Sequence, residues 1–145
     1  MKIRIASVLL LLCCVLTLGC KDPYGACVKA GADIGAGIGQ GMHAVDQIRQ
    51  QGLISSAEES NVIGYLEFAN KGNEAFTSCA STAHTLGNRA GSFTACANAF
   101  SMSLNNPAEL ALIKISNPAA SQQISTIING VTTGVSAVVT ALGGA

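Results

Sequence analysis

The stretch "GADIGAGIGQGM", Gly31 to Met42, decides how this chain is read. Glycine stands at 31, 35, 37, 39 and 41. Such a run suits a phosphate-cradling loop, a flexible linker, a small-residue seam inside a membrane, or a helix that uses missing side chains for close contact. A phosphate loop needs a glycine turn between a strand and a helix. No strand-like run precedes Gly31, no Lys-Ser/Thr follows, and the spacing is neither G-x-G-x-x-G nor the Walker pattern. A linker would not carry Ile34, Ile38, Met42 and Val45 at helical spacing.

Extended in both directions, the stretch belongs to a longer stripe. Tyr24, Cys27, Gly31, Ile34, Ile38, Gly41, Val45 and Ile48 keep steps of three and four, which predicts a helix that Gly52 stops. Helix interiors lose about 1 kcal/mol per glycine relative to alanine, so roughly 5 kcal/mol for five. Such a helix forms only if neighbours fill the space the glycines leave. Helix packing is therefore expected at Gly31, Gly35, Gly39 and Gly41.

The rest of the chain also reads as helices. "SSAEE" offers two overlapping capping boxes, Ser55 with Glu58 and Ser56 with Glu59. The second helix carries Val62, Leu66, Ala69, Asn73, Phe76, Ala80 and Ala83 on one face, with Tyr65, Phe68, Gly72, Ala75 and Cys79 on another, and ends at Gly87. A third helix carries Phe93, Cys96, Ala97, Phe100 and Leu104. Asn106-Pro107 opens a short piece over Ala108 to Ile115, and Asn117-Pro118 opens a last helix through Leu142. The fold class expected is all-α, a small antiparallel bundle of four to five helices.

Hairpin arithmetic makes this testable. Facing residues of an antiparallel hairpin keep a constant index sum, about 106 around the first turn and about 175 around the second. Cys27 and Cys79 satisfy the first, and Cys79 and Cys96 the second. Three cysteines on three helices should share a layer. By the same sums Gly31 faces Phe76, and Gly41 faces Tyr65 or Leu66.

The beginning of the chain has another character. Lys2 and Arg4 precede an apolar run, Ile5 to Val15, too short to hold as a stable transmembrane anchor. "LTLGC" then closes on Cys20. This resembles the lipobox of bacterial lipoproteins, with Thr17 where an aliphatic residue is usual. The resemblance covers residues 1–20 alone. It implies cleavage before Cys20, acylation of Cys20, and a membrane held as partner through that lipid. In a diderm bacterium, Lys21 rather than Asp after the cysteine implies the outer membrane. The expected division is signal peptide 1–19, anchor and linker 20–25, and one helical domain 26–145. Gly31-xxx-Gly35-xxx-Gly39 also resembles the glycine zipper of some bacterial envelope proteins, and Gly130-xxx-Gly134 adds a second pair. Asp33 and Asp46 oppose burial of that helix in lipid.

Without residues 1–19, six Lys/Arg face eight Asp/Glu, a net charge near −2. No basic run exists, which argues against nucleic acid as a partner. The exported compartment is oxidising, so two of Cys27, Cys79 and Cys96 are expected to form a disulfide. Cys79–Cys96 closes the shorter loop, and a bond involving Cys27 is the alternative. A three-cysteine metal site lacks a histidine at ligand spacing, and no metal or cofactor is expected.

No catalytic set stands out. His43 and Asp46, three apart, read as a solvated polar pair. His84 follows Ser81 by three near a helix C-terminus, where the helix dipole favours His+. Glu58 and Glu59 read as caps rather than paired catalytic carboxylates. Asn73 is the one polar group on an apolar stripe. It is expected to bond either Asp33 or a first-helix carbonyl, making Asn73 and Asp33 the polar core. Function is thus expected to be non-catalytic, an envelope module for a protein partner, with a membrane-inserting helical protein as the alternative.

Overall fold

In a computed structural model, residues 22–87 and 90–143 are described, and all the regular structure among them is helical. The expected signal segment and the lipidation of Cys20 lie outside the described residues. Four long helices and one short one follow in order: α1 (Pro23–Gln50), α2 (Ser56–Thr85), α3 (Ala90–Leu104), α4 (Pro107–Ala111) and α5 (Pro118–Gly143). α1 packs on α2, α2 on α3, α3 on α5, and α5 back on α1, which closes a four-helix ring. α4 lies in the connection between α3 and α5.

Local chemistry sets each boundary. Asp22 caps α1, its Oδ1 accepting from Gly25 N–H at 3.0 Å, and Pro23 occupies the first turn. The helix thus begins inside the stretch expected as linker. Gly52 takes φ +70° and donates to the Arg49 carbonyl at 2.9 Å, a left-handed stop that a β-carbon would strain. Gly87, at φ +110°, marks the turn after α2.

Of the two overlapping capping boxes, one forms. Ser55 Oγ accepts from Glu58 N–H at 3.2 Å, and Glu58 Oε2 accepts from Ser55 N–H at 2.7 Å. Ser56 is the first helical residue instead, and its hydroxyl accepts from Arg49 Nη2 at 2.8 Å. Asn106 and Asn117 cap α4 and α5, each followed by proline. The short helix ends at Ala111 rather than reaching Ile115.

The core runs the length of the ring. Tyr65, Phe76, Phe93, Ile38, Leu66, Leu104 and Ile124 are its largest fully buried members. Phe76 and Phe100 stack at 5.9 Å between α2 and α3. Antiparallel order follows from cross-helix neighbours. Gly31 meets Thr77 while Gly41 meets Leu66, and on the other side Ile34 meets Gly134 while Gly41 meets Ile127.

Candidate functional site

The glycine helix does pack closely, at Gly41 against the expected Leu66 and at Gly31 against a different partner from the one expected. A β-carbon on Gly31 would collide with Thr77 Cγ2, not with Phe76. On Gly35 it would lie 3.3 Å from Asn73 Nδ2. On Gly41 it would lie 2.8 Å from Ile127 Cγ2 and 3.6 Å from Leu66 Cδ1, with Tyr65 not among the neighbours. The register is later than the index sum by one or two residues. Side chains lean toward their helix N-terminus, so a given height is covered by a residue about one position later. One residue is about 100° of rotation. That turns Phe76 away to Phe100 and brings Thr77 to the glycine.

Gly39 is a correction. Nothing lies within 4 Å of the place its β-carbon would occupy, and Gly37 is likewise open. The zipper-like triad therefore divides. Gly31 and Gly35 seat α2, and Gly39 faces outward. In the second pair, a β-carbon on Gly134 would lie 4.0 Å from Ile34 Cγ1, and one on Gly130 would meet nothing within 4 Å.

Asn73 is the buried polar group at this seam, 7% exposed. Its Nδ2 donates to the Gly31 carbonyl at 2.8 Å. Only a residue without a β-carbon lets that carbonyl and the carboxamide approach with Thr77 alongside. Oδ1 is buried and has no hydrogen-bond partner. Asp33 is not part of this core. It sits at the surface and pairs with Lys29 Nζ at 2.6 Å, an i,i+4 pair on solvent.

Of the two expected disulfides, the one that closes the shorter loop forms. Cys79 and Cys96 form a disulfide, their Cα atoms 5.8 Å apart, closing a separation of 17 residues between α2 and α3. Cys79 is exposed and Cys96 buried. Cys27 keeps its thiol and is fully buried. Among the described residues no group of three or more His, Cys, Asp and Glu is placed to hold a metal ion.

The histidines separate. His43 and Asp46 are both exposed on α1. His84 stacks on Tyr24, ring centroids 4.1 Å apart and 6° from parallel, and so ties the start of α1 to the end of α2. Tyr24 in turn leans on Phe93 at 6.4 Å.

Two interactions have no local signature in the sequence. Tyr65 Oη donates to the Leu104 carbonyl at 3.3 Å, inside the core. Burial pushes its phenol pKa up. Glu58, besides capping α2, accepts from Ser116 N–H at 2.7 Å through Oε1. Beside it, Asn61 Nδ2 donates to the Leu112 carbonyl at 3.1 Å. The backbone and hydroxyl bonds from Ser55 and the bond from Ser116 pull the Glu58 carboxyl down to about 2. Both are long-range contacts, and a polar residue whose partner lies tens of positions away leaves no periodic trace.

Among the described residues these side-chain contacts brace the helices against one another. A carboxylate holds a loop, a carboxamide holds a helix carbonyl, and a disulfide joins two rods. No family model matches the chain, and no curated protein or solved structure matches it.

Proposed function

We propose that the chain is an exported, lipid-anchored module of the cell envelope, which acts by binding or bracing another protein rather than by catalysis. The disulfide between Cys79 and Cys96 carries this reading. Structural disulfides persist in oxidising compartments outside the cytosol. That chemistry agrees with a leading segment of basic start, apolar run and "LTLGC". The helical body begins at Pro23, so acylated Cys20 would stand next to the capped end of α1. The intact mass of the protein from its native membrane tests this. Loss of residues 1–19, added acyl mass on Cys20, and a gain of two hydrogens on reduction are expected. A chain that begins elsewhere, or carries no acyl group, overturns the anchoring.

A second reading has its own observation. α5 is the one described helix long and apolar enough to cross a membrane, and 22% of its most apolar stretch is buried. It would serve a membrane-active protein. Against it, Ile124, Val131, Val135, Val138 and Leu142 of α5 fill the bundle core. Protease removal of the anchor followed by carbonate extraction separates the two. Release supports the anchored module, and retention supports insertion.

A further inference from the structure

The charges of this bundle are unevenly placed. Every Lys, Arg, Asp and Glu of residues 22–87 and 90–143 lies at or before Glu74, except Glu109 and Lys114 in the connection between α3 and α5. α3 and α5 contain none, and they are neighbours in the ring. One flank is therefore neutral along both helices, whereas a protein surface ordinarily carries about a quarter to a third charged residues.

The flank exposes mostly short side chains. Its exposed side chains include Ala95, Asn98 and Met102 on α3 and Asn129, Thr133 and Ser136 on α5. Several hydroxyls of α5 already donate within their own helix. Thr126 Oγ1 reaches the Gln122 carbonyl at 2.9 Å, Ser136 Oγ the Thr132 carbonyl at 2.9 Å, and Thr140 Oγ1 the Ser136 carbonyl at 3.0 Å. Covering such groups strands few donors, because their protons keep an acceptor.

Met102 is 77% exposed. Thr94 Oγ1 donates to the Leu142 carbonyl at 3.1 Å, which fixes α3 antiparallel to α5. On that register Met102 lies roughly level with Gly134, near the middle of α5. An adaptable apolar side chain thus projects from the neutral flank near the C-terminal end of α3.

We infer that the α3–α5 flank is a self-association face, and that its occupant is the same flank of a second copy of this chain. A two-fold contact lays a surface against itself. A face bearing one sign of charge would then oppose like with like, and the described residues of this face carry none. A hydrocarbon phase is a poor occupant, because the Asn98 and Asn129 carboxamides would lose water without gaining partners. A charged protein partner would find no counter-charge to pair with. The size is sufficient. A helix of 26 residues is about 39 Å long and one of 15 about 22 Å, each about 10 Å wide. Together they offer about 600 Å2 per copy and about 1,200 Å2 in all, the lower edge of stable interfaces. This inference does not depend on the lipid anchor.

Sedimentation equilibrium of the full chain in mild detergent tests it. The unaltered protein is expected as a concentration-dependent dimer. Met102→Glu with Thr133→Glu places four new carboxylates in the contact and should raise the dimer Kd at least tenfold. Ala36→Glu, on the exposed side of α1, should leave it unchanged. Circular dichroism melts establish folding, and Met102→Lys alone carries the same test should the double variant fail to fold. A protein that stays monomeric through the highest soluble concentration overturns the inference. So does a dimer that the flank variants leave intact, or one that Ala36→Glu weakens equally.

Discussion

Asn73 donates its carboxamide N–H to the carbonyl oxygen of Gly31 at 2.8 Å, across the seam where α2 lies closest to α1. The bond fixes height and rotation of one helix on the other. Asn73→Ala should cost about 1–3 kcal/mol, since it removes a buried hydrogen bond and leaves space behind. Asn73→Asp should cost more. It would set a carboxylate against the Gly31 carbonyl, with no partner for Oδ1. Urea unfolding of the three proteins gives the order, and an Asp variant as stable as the parent would refute it.

The glycines of α1 should respond to alanine with opposite signs. Gly39→Ala meets open space and should stabilise by about 0.5–1 kcal/mol through helix propensity. Gly31→Ala should destabilise despite the same propensity gain, because its methyl collides with Thr77. Gly41→Ala should do likewise against Ile127. Equal shifts in the thermal midpoint at positions 31 and 39 would contradict this division.

Reduction of Cys79–Cys96 should lower stability by about 2–4 kcal/mol, and the Cys79→Ser, Cys96→Ala pair should reproduce the loss. Cys27 supplies an internal control. Its thiol is fully buried, so an alkylating reagent should modify it only after denaturant is added. Rapid labelling of Cys27 in the native protein would show the core around it to be open.

Acid stability should depend on Glu58. Its carboxyl falls from 4.5 to about 2 in the folded protein. A depressed carboxyl contributes stability that is present above its unfolded pKa and is lost as pH falls toward the folded one. The contribution should therefore fade between pH 4.5 and about 2. Glu58→Gln should be less stable than the parent near neutrality, with the gap closing across that window. A gap that is constant with pH would remove Glu58 as its source.

Tyr65→Phe should cost about 1–2 kcal/mol, since the Leu104 carbonyl loses its buried donor. Tyr65 also titrates above its usual value of 10.0 through desolvation. The folded state holds that proton more tightly, so its contribution is lost as pH rises past 10. The Phe variant should lack that part of the alkaline decline in a pH series of melts.

The helices and most of their caps were legible because each rests on short spacings. Asn106-Pro107, Ser55 with Glu58, and the apolar steps of α1 all act within one or two turns. The hairpin sum brought Cys79 to Cys96 because a disulfide constrains backbone positions. It failed by a residue at Gly31, where what meets the glycine is a side chain leaning back along its helix. Gly39 and Asp33 were placed inward because both sit near the stripe. The exposed Lys29–Asp33 pair shows how little rotation separates core from solvent on a helix. Tyr65 with Leu104 and Glu58 with Ser116 were not legible, since nothing local marks a partner 39 or 58 positions away.

The closure of the ring by α5 also dictates an order of assembly. Chains emerge from their amino end, and α5 is the last described helix to appear, yet it bridges α1 and α3. Until it arrives, Ile34, Gly41 and Thr94 belong to an unfinished three-rod layer with one oily side bare. A nascent chain halted before residue 118 should be the form that chaperones grip hardest, and release should coincide with the 26 residues of α5 sliding into the gap.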